Sequence, residues 1–249
     1  MTDALTPPEV ERYARHIVLR EVGGAGQRRL KAARVLVVGA GGLGSPVALY
    51  LAAAGVGTLR IADDDVVSPS NLQRQVLHAT DMVGAPKVHS AASALARVNP
   101  HVTVEPVATR VTPANAGALL DGVDLCVEGT DSFAARVMVA EACERARVPL
   151  VTAAVGRFEG SVTTLKPHEG GPRFSDLFPA APEPGTVPTC AEAGVLGALT
   201  GVIGSVQAME ALKELLGIGE GLAKEGAGRL MIYDGLAAEW RTVRYGRRG

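Results

Sequence analysis

Aromatic side chains make up only 4% of the 249 residues, so the core of this chain cannot be built on stacked rings. Ala, Val, Leu and Gly dominate instead, which suits closely packed aliphatic layers. Cysteine is just as scarce. Cys126, Cys143 and Cys190 lie far apart and form no CxxC pair, which argues against a disulfide framework or a four-cysteine zinc site and for a reducing cytosol. No apolar run reaches the roughly 18 residues that a membrane-spanning helix needs. The longest, Ala193 to Val206, contains four glycines and stops at Gln207, so it reads as a buried helix. The first residues lack the basic start and apolar core of a signal peptide, so the chain is expected to be soluble and cytoplasmic. Its formal charge of -1, with signs interspersed, leaves no electrostatic footprint for nucleic acid or a membrane surface.

What the chain does contain is alternation of strand and helix. Pro7-Pro8 can open a helix whose apolar positions Val10, Tyr13, Ile17 and Leu19 to Val22 recur near the helical period, ending at Gly23-Gly24. Arg34 to Val38 is an apolar run bounded by glycine, as expected of a buried parallel strand, with a helix at Leu43 to Ala54. Further strands are expected at Thr58 to Ala62, Val102 to Val107, Val123 to Val127, Pro149 to Ala153 and Ser161 to Leu165. Helices are expected at Pro86 to Val98, after a Thr112 cap with Pro113 at its first position, and at Ser132 to Arg147. Residues 166–189, with six prolines, read as a long crossing loop. Ala191 to Leu216 returns to helix, and a β pair around Asp234-Gly235 closes the chain. The fold class is therefore α/β, a Rossmann-like, doubly wound, mainly parallel sheet with an N-terminal helical arm and C-terminal antiparallel strands. The expected organisation is one unit over 1–249, with an arm at 1–33, a nucleotide-binding half at 34–154 and a C-terminal half at 155–249.

Chemistry enters with Gly39-Ala-Gly41-Gly42-Leu-Gly44, a GxGxxG placed after a strand and opening a helix. There glycines permit a tight turn and close approach of backbone to phosphate, and helix amides face the anion. Asp63 ends the second strand 19 residues beyond Gly44, where a carboxylate can bind a ribose hydroxyl. This much fits a dinucleotide, another nucleotide or merely tight packing. The next segment, Ser68-Pro-Ser70-Asn71-Leu-Gln73-Arg74-Gln75 with Lys87 beyond, shifts the balance. A dinucleotide enzyme does not need it, whereas nucleotidyl transfer needs cations and donors around a triphosphate. Arg74 and Lys87 can supply charge and Asn71 a donor; the alternative is that both are ordinary surface residues. Asp131, in Gly129-Thr-Asp-Ser132, sits where ligands of open α/β sheets gather, either to hold Mg²⁺ or to cap the following helix.

GAGGLG, Asp63 with Asp65, SNLQRQ, Pro86-Lys87 and TDS, in this order, resemble the E1-like MoeB/ThiF adenylyltransferases over nearly the whole chain. The likeness starts at Arg12-Tyr-Ala-Arg15 and returns at Thr189-Cys190-Ala and Gly201 to Glu210. It implies ATP binding by Gly39, Gly41, Gly42, Gly44, Asp63, Ser70, Asn71, Gln73, Arg74 and Lys87, with Asp131 and Ser132 beside Mg²⁺ and the phosphates. It also implies a homodimer in which Arg15 reaches the neighbouring subunit's site. The implied reaction is adenylation of the C-terminal glycine of a ubiquitin-like sulfur carrier ending in Gly-Gly, bound by the half at 155–249. The small subunit of molybdopterin synthase is favoured over the thiamine-pathway carrier. A sulfurtransferase or cysteine desulfurase is a further possible partner. An NAD-dependent oxidoreductase or a non-catalytic carrier scaffold are the competing readings, and each leaves part of the set unexplained.

The chain departs from the family where many relatives carry two CxxC pairs. Arg173 and Asp176 stand at the first pair and no second pair follows, so no zinc is expected. Cys190 has either a covalent sulfur or acyl role or a packing role, while Cys126 and Cys143 read as core. Arg157 either guides the carrier tail or sits exposed. His16, His78, His89 and His101 show no metal spacing and read as surface or capping residues.

Overall fold

The computed structural model describes residues 4–180 and 194–247. An N-terminal arm of α1 (Pro7–Arg12), α2 (Ala14–Ile17) and α3 (Gly23–Ala32) precedes the sheet. The sequence pattern predicts one helix in this arm, ending at Gly23-Gly24. Instead Gly23 adopts φ 57 and opens α3, whose buried Gly26, Gln27 and Leu30 pack it down. The Glu9 carboxylate ties the arm together, accepting from the Thr6 amide at 2.7 Å and from Lys31 Nζ at 2.8 Å. Burial pushes its pKa up, but the Lys31 ammonium and the Thr6 donors outweigh it and hold the group down at about 2.

Strands β1 (Arg34–Val38), β2 (Thr58–Ala62), β3 (Thr103–Val107), β4 (Leu125–Glu128) and β5 (Leu150–Gly156) pair in parallel. Then β6 (Glu159–Leu165), β7 (Ala223–Lys224), β8 (Ala227–Asp234) and β9 (Glu239–Gly246) extend the sheet antiparallel. The order is β3-β2-β1-β4-β5-β6-β8-β7, with β9 on β8. Period-two alternation splits each inner strand between two cores. Val35, Val37, Leu59, Ile61 and Val127 face α4 (Gly44–Ala53), α5 (Lys87–Val98) and α9 (Gly197–Leu216). Leu36, Val38 and Cys126 face α6 (Ala116–Leu120), α7 (Phe133–Ala146) and α8 (Phe174–Leu177). Each fully buried Val or Leu contributes roughly 1.5–3 kcal/mol, so a sheet sandwiched in this way needs few aromatic rings. Cys126 and Cys143 are both buried in the second core.

Several local expectations shift. The short α6 takes Asn115, not Thr112, as its cap residue, because the Thr112 carbonyl instead closes a turn by accepting from the Asn115 and Ala116 amides. The crossing segment is not featureless in its described part: a 3₁₀ turn spans Pro167–Glu169, and α8 places Phe174 and Phe178 against Phe133. The helix expected from Ala191 begins at Gly197 among the described residues, because Val195 makes a parallel bridge to Arg157 and Leu196 is extended. Arg173 and Asp176 hold each other through the Arg173 amide at 2.6 Å, and the Arg173 guanidinium pairs with Glu144 at 2.8 Å.

Candidate functional site

The order β3-β2-β1-β4-β5 reverses direction between β1 and β4, and ligands of open α/β sheets bind in the crevice beyond such a point. Val38 and Glu128 are register partners at the ends of these two strands, so the loops that follow lie side by side. Gly39 turns with φ +93, and an added Cβ would stand 3.3 Å from the Gly129 carbonyl. Gly44 has no room for any side chain, because its Cβ would drive into the Gly39 carbonyl. Both are positions where glycine alone gives this turn.

Beyond the two loops opens a cavity of about 510 Å³, within the usual range for a small-molecule site. Of the residues expected at the site, Gly39, Gly41, Gly42, Asp63, Asn71, Arg74, Lys87, Asp131 and Ser132 line it. Gly44 shapes the turn from beneath. Ser70 and Gln73 are exposed and lie off the lining; the Ser70 carbonyl accepts from Arg74 Nη1 at 2.9 Å. Arg15 is exposed on α2 and does not line the cavity of its own chain. Cys190 lies outside the described residues.

Hydrogen bonds fix the β1 side of the cavity. Asp63 Oδ2 accepts from the Ala40 amide at 2.7 Å and Oδ1 from the Asp65 amide at 2.8 Å. Asn71 accepts from the Ser68 amide and so shapes the SNLQRQ turn. Lys87 is only 5% exposed, and its ammonium reaches Asp65 Oδ2 at 2.8 Å. His78 departs from its expected surface role. It is buried, with Nε2 2.8 Å from the Ala40 carbonyl and Nδ1 2.9 Å from Ser90 Oγ. Burial pushes its pKa down, so the neutral ring donates from Nε2 and accepts from Ser90. Ala40 is thus held at its backbone N–H by a carboxylate and at its carbonyl by an imidazole.

The β4 side is more open. Ser132 caps α7 by accepting from the Ala135 amide at 3.4 Å, which leaves Asp131 free of the capping role considered for it. Among the described residues Asp131 makes no hydrogen bond or ion pair, and it is exposed on the cavity wall. By contrast Asp64 pairs with Arg110 at 3.0 Å and Asp65 with Lys87, so Asp131 carries the open oxygens. Arg74 and Arg136 also line the cavity, and neither forms an ion pair among the described residues. Arg136 donates Nη2 to the Thr130 carbonyl at 3.2 Å, while its buried Nε has no partner. The cavity therefore presents two unneutralised guanidinium groups and one unpaired carboxylate, a set suited to a polyanion with a hard cation.

Sequence reasoning missed Gln75, Arg110, Arg136 and Thr200, all of which line the cavity. Gln75 lay inside the motif already noticed. Arg110 follows the carboxyl end of β3, and Arg136 lies one turn beyond the α7 cap, both places where the switch-point rule directs attention. Thr200 had no signal. It comes from α9, 126 residues away, and donates to the Arg74 carbonyl at 3.1 Å.

Among the described residues no helix is long and apolar enough to cross a membrane. Residues 13–248 match the model of the ThiF family. A SAMP-activating enzyme E1 from Haloferax volcanii is 50% identical over 245 residues, covering 98% of this chain and 88% of that protein. A sulfur carrier protein adenylyltransferase from Thermus thermophilus is 47% identical over 96% of this chain and 88% of its own length. A probable adenylyltransferase/sulfurtransferase, MoeZ from Mycobacterium tuberculosis, is also 47% identical, but the chain spans only 61% of its length. A crystal structure of PaaA superposes with a TM-score of 0.81 at 24% identity over 100% of this chain and 77% of that one, a likeness of fold. With this cavity at its switch point and these relatives, the chain belongs to the ThiF family and is an adenylyltransferase.

Proposed function

We propose that this adenylyltransferase uses ATP to activate the C-terminal glycine carboxylate of a ubiquitin-like sulfur-carrier protein. A carboxylate oxygen attacks the α-phosphorus, the bond to the bridging oxygen of the β-phosphate breaks, and acyl-adenylate and pyrophosphate result. The observation that carries the reading is the pair of guanidinium groups, Arg74 and Arg136, which have no ion-pair partner among the described residues and share one cavity with an open Asp131. A carboxylate nucleophile is already ionised at neutral pH, so the site needs no general base and works by positioning and charge neutralisation. Gly41, Gly42 and the start of α4 offer amides to phosphate, since the Gly39 and Ala40 amides are taken by the Ala62 carbonyl and Asp63, and Asp63 keeps lone pairs for a ribose hydroxyl. Arg74 and Arg136 balance charge that grows on the leaving pyrophosphate. Lys87, released from or shared with Asp65, adds a third cation.

The unpaired oxygens of Asp131 fit Mg²⁺, held with Ser132 nearby. When bound, the ion neutralises phosphate charge. The names of the Haloferax and Thermus relatives support a small carrier as substrate. Within that class we favour the molybdopterin-synthase small subunit, with the thiamine-pathway carrier as the other choice. We further propose that the unit works in the cytoplasm as a homodimer, Arg15 of the partner subunit completing each cavity. A sulfurtransferase or cysteine desulfurase would then deliver sulfur to the activated carrier, and Cys190 is the chain's candidate for covalent participation.

ATP–pyrophosphate exchange with purified carriers ending in Gly-Gly tests the reading. The expected result is exchange that depends on the carrier and is stronger with the molybdopterin carrier than with the thiamine one. Turnover of NADH without exchange would sink it, and the reverse carrier ranking would reassign the pathway.

A further inference from the structure

Beneath the open side of the cavity lies a carboxylate that no step of adenylation uses. Glu128, the last residue of β4, is fully buried. Its Oε1 accepts from both the amide and the hydroxyl of Thr130, each at 2.6 Å, and its Oε2 from the Thr152 hydroxyl on β5, also at 2.6 Å. Its backbone carbonyl accepts from Gln207 Nε2 of α9 at 2.6 Å, and the same nitrogen reaches the Val151 carbonyl at 3.1 Å. Thr130 immediately precedes Asp131. Glu128 accepts from the Thr130 amide and Arg136 donates to the Thr130 carbonyl, so the residue that leads into Asp131 is held at both its backbone nitrogen and its backbone oxygen.

Keeping a carboxylate in this place costs free energy. Burial raises the Glu128 pKa despite its three donors and the nearby Arg136 charge, and no cation lies within ion-pair distance of it among the described residues. One loop amide needs only a single neutral acceptor. A carboxylate makes charge-assisted bonds roughly twice as strong as neutral ones, and with two oxygens it spans from the loop to the neighbouring strand. That geometry serves to fix the loop more than to stabilise the strand, which already has its ladder partners.

We propose that Glu128 is a positioning residue that sets the location of Asp131 for nucleotidyl transfer, acting through the Thr130 peptide with Thr152 and Gln207 as its anchors. The role rests on the adenylation reading given above. Misplacement of a reacting group by about 1 Å can cost on the order of 100-fold in rate, so loosening this loop should appear in turnover more than in binding. Gln keeps an oxygen for Thr130 and offers its amide to Thr152, which separates geometry from charge.

Three measurements on the full chain decide it. Glu128→Ala is expected to lower kcat for ATP–pyrophosphate exchange about tenfold, to leave the ATP Kd within about twofold, and to speed amide hydrogen exchange at Thr130 and Asp131 in the nucleotide-free protein. Glu128→Gln is expected to recover activity to within about threefold of the wild type. Wild-type kcat in Glu128→Ala, or a Gln variant as impaired as the Ala one, would overturn the proposal. Should Glu128→Ala not fold, Thr130→Val deletes one of the two bonds to Oε1 and is expected to show the same split at smaller size; unchanged kcat there would also overturn it. A wild-type protein with no exchange activity would sink the adenylation reading instead, and the amide comparison would then decide whether Glu128 holds the loop.

Discussion

The two walls of the cavity differ in how their polar groups are used. On the β1 wall, Asp63, His78, Ser90 and Ala40 are bonded to one another, and Lys87 is paired with Asp65. On the β4 wall, Asp131 and the Arg136 Nε are left open among the described residues, and the charge of Arg74 faces the same cavity from the SNLQRQ turn without an ion-pair partner there. Fully satisfied polar groups build a rigid receptor, whereas open charges wait for a ligand. The contrast teaches that one wall recognises and the other reacts, so substitutions on the two walls should fail in different ways.

The largest effect is expected on the open wall. Asp131→Ala should lower exchange by 100-fold or more, on the order found when a preorganised charge is removed from an active site, while its urea midpoint stays near the wild-type value because Asp131 has no partner to lose among the described residues. Mixing this variant with inactive Arg15→Ala subunits should restore about half of the wild-type activity in proven heterodimers, since one cavity of two regains a full set; the figure follows from counting sites in a symmetric dimer. No restoration would remove the shared site. A midpoint that falls with Asp131→Ala would break the comparison itself.

A smaller effect is expected on the bonded wall from Gly44→Ala. A methyl group there meets the Gly39 carbonyl, and overpacking of this kind costs about 1–3 kcal/mol. The urea midpoint should fall and ATP binding weaken together, the opposite signature to Asp131→Ala. The smallest effect concerns His78. Its pKa is lowered in the folded protein, so the unfolded chain binds the proton more readily. Stability attributable to this ring is therefore present above its unfolded value of about 6.5 and is lost as pH falls below it. The Lys87 and Asp63 charges act on the ring in opposite directions, the first lowering and the second raising its pKa. Denaturation midpoints between pH 7.5 and 5.5 should fall less in His78→Gln than in the wild type. Parallel curves would show that the ring is not a source of the pH dependence.

Much of the fold was legible because local signals agreed with tertiary demand. Arg34–Val38 and Thr58–Ala62 emerge at the expected bounds, the first as a continuous apolar run ended by glycine and the second as a short strand ended by the acidic run from Asp63. The arm was misread at α3 because Gly23-Gly24 looks like a stop. Only Gly26, Gln27 and Leu30 bury, too few to register as a period in a stretch rich in Arg and Lys. Within the site, contiguous motifs showed themselves, and residues brought in by folding did not. Arg110, Arg136 and Thr200 stand alone in the sequence, and His78 looks like any surface histidine until the Ala40 carbonyl arrives 38 residues away.

One helix has a consequence for how such a chain can change over time. The inward stripe of α9 fastens the SNLQRQ turn through Thr200 to the Arg74 carbonyl and the end of β4 through Gln207 to the Glu128 carbonyl, with Ile203 and Ala211 buried between and beyond them. Its outward positions Ala198, Val202 and Met209 are exposed. Inherited variation on the outer stripe can therefore alter what the protein meets without retuning the nucleotide cavity, while drift on the inner stripe disturbs both of its walls at once.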